Sequence, residues 1–159
     1  MRRLSSTCVG LVAVAATVVG APAAHADNKR LNDSVLANVY TVQHQAGCMN
    51  DVKSNPALRQ AAEWHANDVL NNNQLDGDLG SDGSTPQSRA AAAGYHGRVA
   101  QTVAINPALA INGIEILNQW FNDPVALATM RDCSFTQMGV WSANSLGRSV
   151  VVAVYGQPL

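Results

Sequence analysis

The run Val150-Val151-Val152-Ala153-Val154 is apolar at every position. β-Branched residues in an unbroken run favour a strand, and a strand without a polar face has to be covered on both sides. A second β-rich run, Met138 to Ala143, precedes it, and Asn144-Ser145-Leu146-Gly147 between them reads as a hairpin turn. Upstream of this hairpin the apolar spacing is mostly helical. Helices first, a sheet last and one strand covered twice predict an α+β chain folded as a three-layer α/β/α sandwich.

Leu31, Val35, Val39 and Val42 recur at helical spacing up to Gly47, a C-terminal stop. Asn55-Pro56 opens a second helix, with Asn as N-cap and Pro in the first turn. Its stripe is Leu58, Ala61, Ala62, His65, Ala66, Val69 and Leu70, and Asn71-Asn72-Asn73 end it. A polar, glycine-rich loop follows over residues 76–84, then Thr85-Pro86 caps a short alanine-rich helix closed by Gly94. Val99 to Ile105 reads as a strand or extended segment. Pro107 to Phe121 reads as a helix with Ile111, Ile114, Leu117 and Phe121 on one face and Trp120 beside it; Asp123-Pro124 breaks it and starts another. Trp64, Trp120 and Trp141 all fall in these elements and are expected in the core. No internal repeat or linker divides the chain.

The N-terminus constrains the compartment. Arg2 and Arg3 precede a run of small and aliphatic residues from Val9 to Val19, and Ala24-His25-Ala26 ends it in an A-x-A pattern. These are the three parts of a secretory signal, so residues 1–26 are expected to leave and residues 27–159 to form one domain. The arginine pair also suggests a twin-arginine route, but its usual neighbours are missing and the general route is preferred. The apolar run is shorter than the roughly 20 residues a bilayer span needs, so no transmembrane anchor is expected after cleavage. Loss of the two arginines leaves 11 acidic residues in excess over basic ones. That surface does not suit a phosphate backbone, which excludes nucleic acid as partner. Cys8 leaves with the leader. Cys48 and Cys133 remain in an oxidising compartment, where an even pair reads as a disulfide; the competing reading is a catalytic thiol with a histidine base.

In order and spacing, these segments resemble the CAP superfamily (cysteine-rich secretory, antigen 5 and pathogenesis-related-1 proteins, or SCP-like) in its bacterial form. The matching stretches are Asn55 to Asn73, then Asp82-Gly83-Ser84-Thr85-Pro86 with Arg89 and Ala93-Gly94-Tyr95. Trp120-Phe121-Asn122-Asp123-Pro124, Met138-Gly139-Val140 and the closing strand follow, so the resemblance covers roughly residues 30–156. It implies the same α/β/α sandwich. It also implies a cavity where, in many members, two histidines and two acids hold a divalent metal. Carried over position by position, the first histidine falls near Gly77, beside Asp78, and the acid of the G-E-N segment falls on Gln101. The acid after the tryptophan falls near Asp123. The second histidine, S-P-x-H in bacterial relatives, falls on Ala126. Both imidazoles are lost and one acid has become an amide, so no metal and no other cofactor is expected.

Further candidates weigh less. His65 lies in an apolar stripe and reads as a core histidine with one hydrogen bond; His44 and His96 read as solvated, at a helix end and in a loop. Asp78, Asp82 and Gly83 match positions one, five and six of an EF-hand, but Gly80 and Arg89 occupy positions three and twelve, so a solvated turn is expected instead of a calcium loop. No G-x-S-x-G, H-E-x-x-H or phosphate-binding glycine loop is present. The expectation is a secreted, non-enzymatic domain that binds a small apolar molecule or a cell-envelope or protein partner. The alternative is a secreted hydrolase using His65 or His96 with Asp123.

Overall fold

The computed structural model describes residues 24–159. The expected leader, residues 1–26 with Cys8, lies almost wholly outside them. A long helix α1 (Ala24–Gln45) is followed by β1 (Lys53–Ser54), α2 (Pro56–Asn71) and α3 (Pro86–Ala92). Then come β2 (Gly97–Asn106), α4 (Gly113–Asn122), α5 (Pro124–Arg131) and the hairpin β3 (Gln137–Ser145) and β4 (Arg148–Pro158). The strands form one mixed sheet in the order β1-β3-β4-β2. β4 pairs antiparallel with both β2 and β3, while β1 pairs parallel with β3. The fold is α+β, as expected.

The all-apolar run sits in β4, inside the sheet, and its alternation divides the core. Val150, Val152 and Val154 pack with Leu58, Ala61, Ala62, Ala66 and Val69 of α2. Val151, Ala153 and Tyr155 face the other way, against Val35 and Val39 of α1, Ile116 and Trp120 of α4, and Met130 of α5. Residues 150–155 are all fully buried, and each large apolar side chain so buried contributes roughly 1.5–3 kcal/mol. This is the three-layer sandwich.

Local chemistry sets the ends. Asn55 caps α2 by accepting from the amides of Ala57 and Leu58 at 2.9 and 3.2 Å. Thr85 and Ser88 form a reciprocal capping box on α3. The disulfide joins Cys48, just past α1, to Cys133, just past α5, closing a separation of 85 residues. Gly139 lies where α2 meets β3; a Cβ there would run into the backbone of Leu58 and Arg59.

One helix departs from its expected start and face. β2 extends to Asn106 because the residue before Pro107 is held extended. Asn106 then donates to the Ala110 carbonyl and Asn112 caps the helix, so α4 begins only at Gly113. Its buried face is Ile116 and Trp120, whereas Ile114 is 74% and Phe121 40% exposed. The indole of Trp120 donates to the Val103 carbonyl at 3.0 Å, and Gln119 bonds both backbone groups of Ile105. At the other end of β2, Gln87 of α3 accepts from the Val99 amide and donates to the Gly97 carbonyl. These side chains close the backbone of the outer strand, which otherwise offers an edge for pairing. Trp64 and Trp141 also depart from expectation: Trp64 is 43% exposed and Trp141 half-buried under Arg59.

Candidate functional site

The loop 76–84, between α2 and α3, is held down by side chains from three elements. His65 of α2 is fully buried, and its Nε2–H donates to the Gly77 carbonyl at 2.7 Å. Asp68, one turn on, accepts from the amide and hydroxyl of Ser81 at 2.8 and 2.7 Å. Arg89 of α3 is only 6% exposed. Its Nη1 donates to the carbonyl and hydroxyl of Ser84 at 2.8 and 3.0 Å, and its Nη2 to the Asp78 carbonyl at 2.7 Å and Gln101 Oε1 at 3.1 Å. Gln101 of β2 completes the chain by donating to Asp78 Oδ1 at 3.0 Å. A planar guanidinium suits this role because its donors are fixed in a fork, which lets one side chain order several acceptors at once.

Electrostatics follow from the packing. Burial lowers the pKa of His65 below its ordinary value, and the nearby Arg89 charge lowers it further; the Gly77 bond, Asp68 and Asp78 only partly oppose this. With the proton on Nε2, the buried Nδ1 has no partner, nor does Arg89 Nε. Bonds from the hydroxyl and amide of Ser84 hold the exposed Asp82 carboxylate below its ordinary pKa. The loop is not a calcium site of the EF-hand kind. Asp78 is engaged by Gln101 and the position-twelve residue, Arg89, brings a positive charge into it.

The fold therefore brings Gly77, Asp78 and Gln101 together with His65. It does not add Asp123 and Ala126 to them. Asp123 caps α5 by accepting from the amides of Val125 and Ala126 at 2.8 and 3.3 Å, and Ala126 is buried in the cluster on the α1 side of the sheet. His96 is exposed on the turn between α3 and β2. Neither His65 nor His96 is hydrogen-bonded to Asp123, so the hydrolase pairing is not assembled here. In the sequence Arg89 stands out only in a family-matching stretch and as the residue that spoils an EF-hand reading, with no sign of its anchoring role, and Asp68 and Ser81 carry no signal of their own. The spacing D-G-S-T-P-x-x-R was the available signal.

The residues at these positions do not fit a divalent cation. Gly77 has no side chain, Ala126 offers a methyl, and the Asp123 carboxylate is committed to a helix end. Both functional atoms of the Gln101 amide are occupied by Arg89 and Asp78. Arg89 adds a positive charge beside Asp78 and Gln101. Among the described residues no three His, Cys, Asp or Glu side chains are grouped as a metal would need.

Above the pinned loop, α2 and α3 enclose an open cleft of about 590 Å³. The indole of Trp64, Asp68, Ser81, Asp82 and Ser88 line it, with His65 and Arg89 beneath. A second concavity of about 510 Å³, between α1 and β3, is lined by Arg59 and Trp141 among others and holds none of the cavity positions carried over from the family. No described helix is long and apolar enough to cross a membrane.

Comparison with known proteins agrees with this architecture. The family model of the cysteine-rich secretory protein family, CAP, matches residues 25–155. No curated protein sequence matches the chain. Among solved structures, an outer surface protein of Borrelia burgdorferi superposes with a TM-score of 0.68 at 14% identity, over 80% of this chain and 92% of that one. An extracellular, SCP-domain protein of Bacillus anthracis gives 0.65 at 13% identity, over 87% of this chain. A cysteine-rich secretory protein of Staphylococcus aureus gives 0.64 at 12% identity, over 86%. The chain spans only 45% and 40% of those last two proteins. At these identities the likeness is one of fold.

Proposed function

From the premise that the chain belongs to the cysteine-rich secretory protein (CAP) family, we propose that it is an exported, non-enzymatic binding domain that engages a cell-envelope component through the α2–α3 cleft without a bound metal. Residues 1–26 act as the leader and residues 27–159 as the exported domain. The disulfide suits an oxidising compartment, and two structural neighbours are described as an outer surface and an extracellular protein.

The observation that carries the reading is the position of Arg89. A buried guanidinium bonded to Asp78 and Gln101 supplies the positive charge at the place where a cation would otherwise be gripped. Of the two partner classes expected from sequence, the cleft favours the polar one. An apolar molecule covering Asp68 and Asp82 would strip water from two carboxylates and return nothing.

Isothermal titration of the exported protein with zinc chloride is expected to show no stoichiometric heat, and chelator to leave the melting temperature unchanged. Co-sedimentation with purified, protein-free cell envelope is expected to retain the protein. Tight one-to-one zinc uptake abolished by Asp78→Ala, or absence of retention, refutes the reading.

A further inference from the structure

We infer that the α2–α3 cleft is a carbohydrate subsite, with Trp64 as the platform for one sugar ring. The inference rests on the binding-domain reading and names its ligand class.

Trp64 shares α2 with a fully buried stripe, yet 43% of its surface is exposed, and that surface lines the cleft. A large aromatic side chain left open to solvent is more informative than a scattered exposed leucine. Its π face is electron-rich and attracts a surface of polarised C–H groups. Around it stand mainly oxygen-bearing groups, the carboxylates of Asp68 and Asp82 and the hydroxyls of Ser81, Ser84 and Ser88, with the Ala92 methyl at the wall and His65 and Arg89 beneath.

Charge and hydrogen-bonding capacity narrow the ligand. An anion would meet Asp68 and Asp82. A divalent cation would meet Arg89 beneath the cleft and find only two carboxylates. An apolar molecule would leave those carboxylates desolvated. A neutral polyol avoids all three penalties. A pyranose carries an apolar C–H face for the indole and a rim of hydroxyls, and hydroxyl donors to carboxylates make strong, charge-assisted bonds.

The site is held ready. Asp68 is fixed by its two bonds to Ser81, and Asp82 by the Ser84 amide at 2.8 Å. Arg89 and His65 anchor the loop that presents Asp82 to Asp68 of α2, and both are more than nine-tenths buried, with Arg89 Nε and His65 Nδ1 unpartnered. Gly80 leaves room for this arrangement, because a Cβ there would meet Ser84 Oγ at 2.5 Å, Asp82 Oδ1 at 2.7 Å and Asp68 Oδ2 at 3.2 Å and would displace those side chains. A preformed arrangement loses little entropy on binding.

The exported protein, its Trp64→Ala variant and its Asp82→Asn variant should be titrated with chitotriose and with cellotriose, following tryptophan fluorescence and heat. Wild type is expected to bind at least one of them with a blue shift. Trp64→Ala should abolish binding, and Asp82→Asn should weaken it at least tenfold, with thermal midpoints unchanged. Binding undiminished in Trp64→Ala overturns the inference. So does absence of saccharide binding with retention on envelope material that Trp64→Ala leaves unchanged, an outcome that spares the binding-domain reading. Loss of both overturns both.

Discussion

Replacing Arg89 by methionine keeps the stem and removes the fork. Four acceptors then lose their donor: the carbonyl and hydroxyl of Ser84, the Asp78 carbonyl, and Gln101 Oε1. The bond to Gln101 is fully buried, and an acceptor left unpaired there costs about 1–3 kcal/mol. The three part-buried bonds lose about 0.5–1.5 kcal/mol each, since water can partly replace the guanidinium. Against this, the folded protein no longer buries a charge, a cost real enough that desolvation lowers the pKa of Arg89. The net loss should be about 3 kcal/mol; at a urea slope near 1.5 kcal/mol/M, the midpoint falls by about 2 M. Arg89→Lys separates charge from geometry. One ammonium cannot reach acceptors divided between two nitrogens, so lysine should recover less than half of the loss. Urea unfolding followed by circular dichroism measures both variants. A methionine variant within 0.5 M of wild type, by the same ~1.5 kcal/mol/M slope, or a lysine variant matching wild type, refutes the reasoning.

Four further outcomes are expected. Below about pH 6.5 the unfolded chain takes up a proton at His65 that the folded protein resists. Stability should therefore be level above that pH and fall on acidification by at most about 1.4 kcal/mol per pH unit. A flat urea midpoint from pH 7.5 to 5.5 excludes this; Asp132, whose folded pKa is lowered from 3.8, acts in a separate, more acidic window. The disulfide closes 85 residues, so the Cys48→Ser/Cys133→Ser variant should lose about 4–5 kcal/mol in the chain-entropy view. The exported protein, unfolded without reductant, should show no free thiol by Ellman assay. Gly139→Ala pushes α2 off the sheet and should cost about 3 kcal/mol or more, read as a collapsed melting transition or insolubility. Ile116→Ala should cost about 2–5 kcal/mol while Ile114→Ser changes stability by less than about 0.5 kcal/mol; the reverse order in thermal melts would put the wrong face of α4 in the core.

The elements that could be read from sequence are those set by neighbours along the chain. The hairpin turn, the Asn55-Pro56 start of α2 and its stripe from Leu58 to Val69 depend on local periodicity and capping, and they stand where the pattern puts them. The single bond of the buried His65 was legible for the same reason: a polar residue in an apolar stripe needs one partner. The face of α4 was not legible. Pro107 holds Asn106 in the sheet, and Trp120 turns inward to reach the Val103 carbonyl, a partner on another strand. Trp64 looked like core because helical membership says nothing about which side meets the sheet.

The composition of β4 already requires cover on both of its faces, and therefore three layers, because an all-apolar strand has no face to give to water. The even cysteine pair marked Cys48 and Cys133 as partners, and the resemblance to the family led to the expectation that its two imidazoles are absent here. The packing of separate elements, and nothing along the chain, sets which polar groups converge. It put Asp123 and Ala126 across the sheet from Gln101, and it brought Asp78, Ser84 and Gln101 onto one guanidinium. Those contacts join a loop, a helix and a strand, and no periodicity along the chain encodes the directions in which side chains from separate elements point.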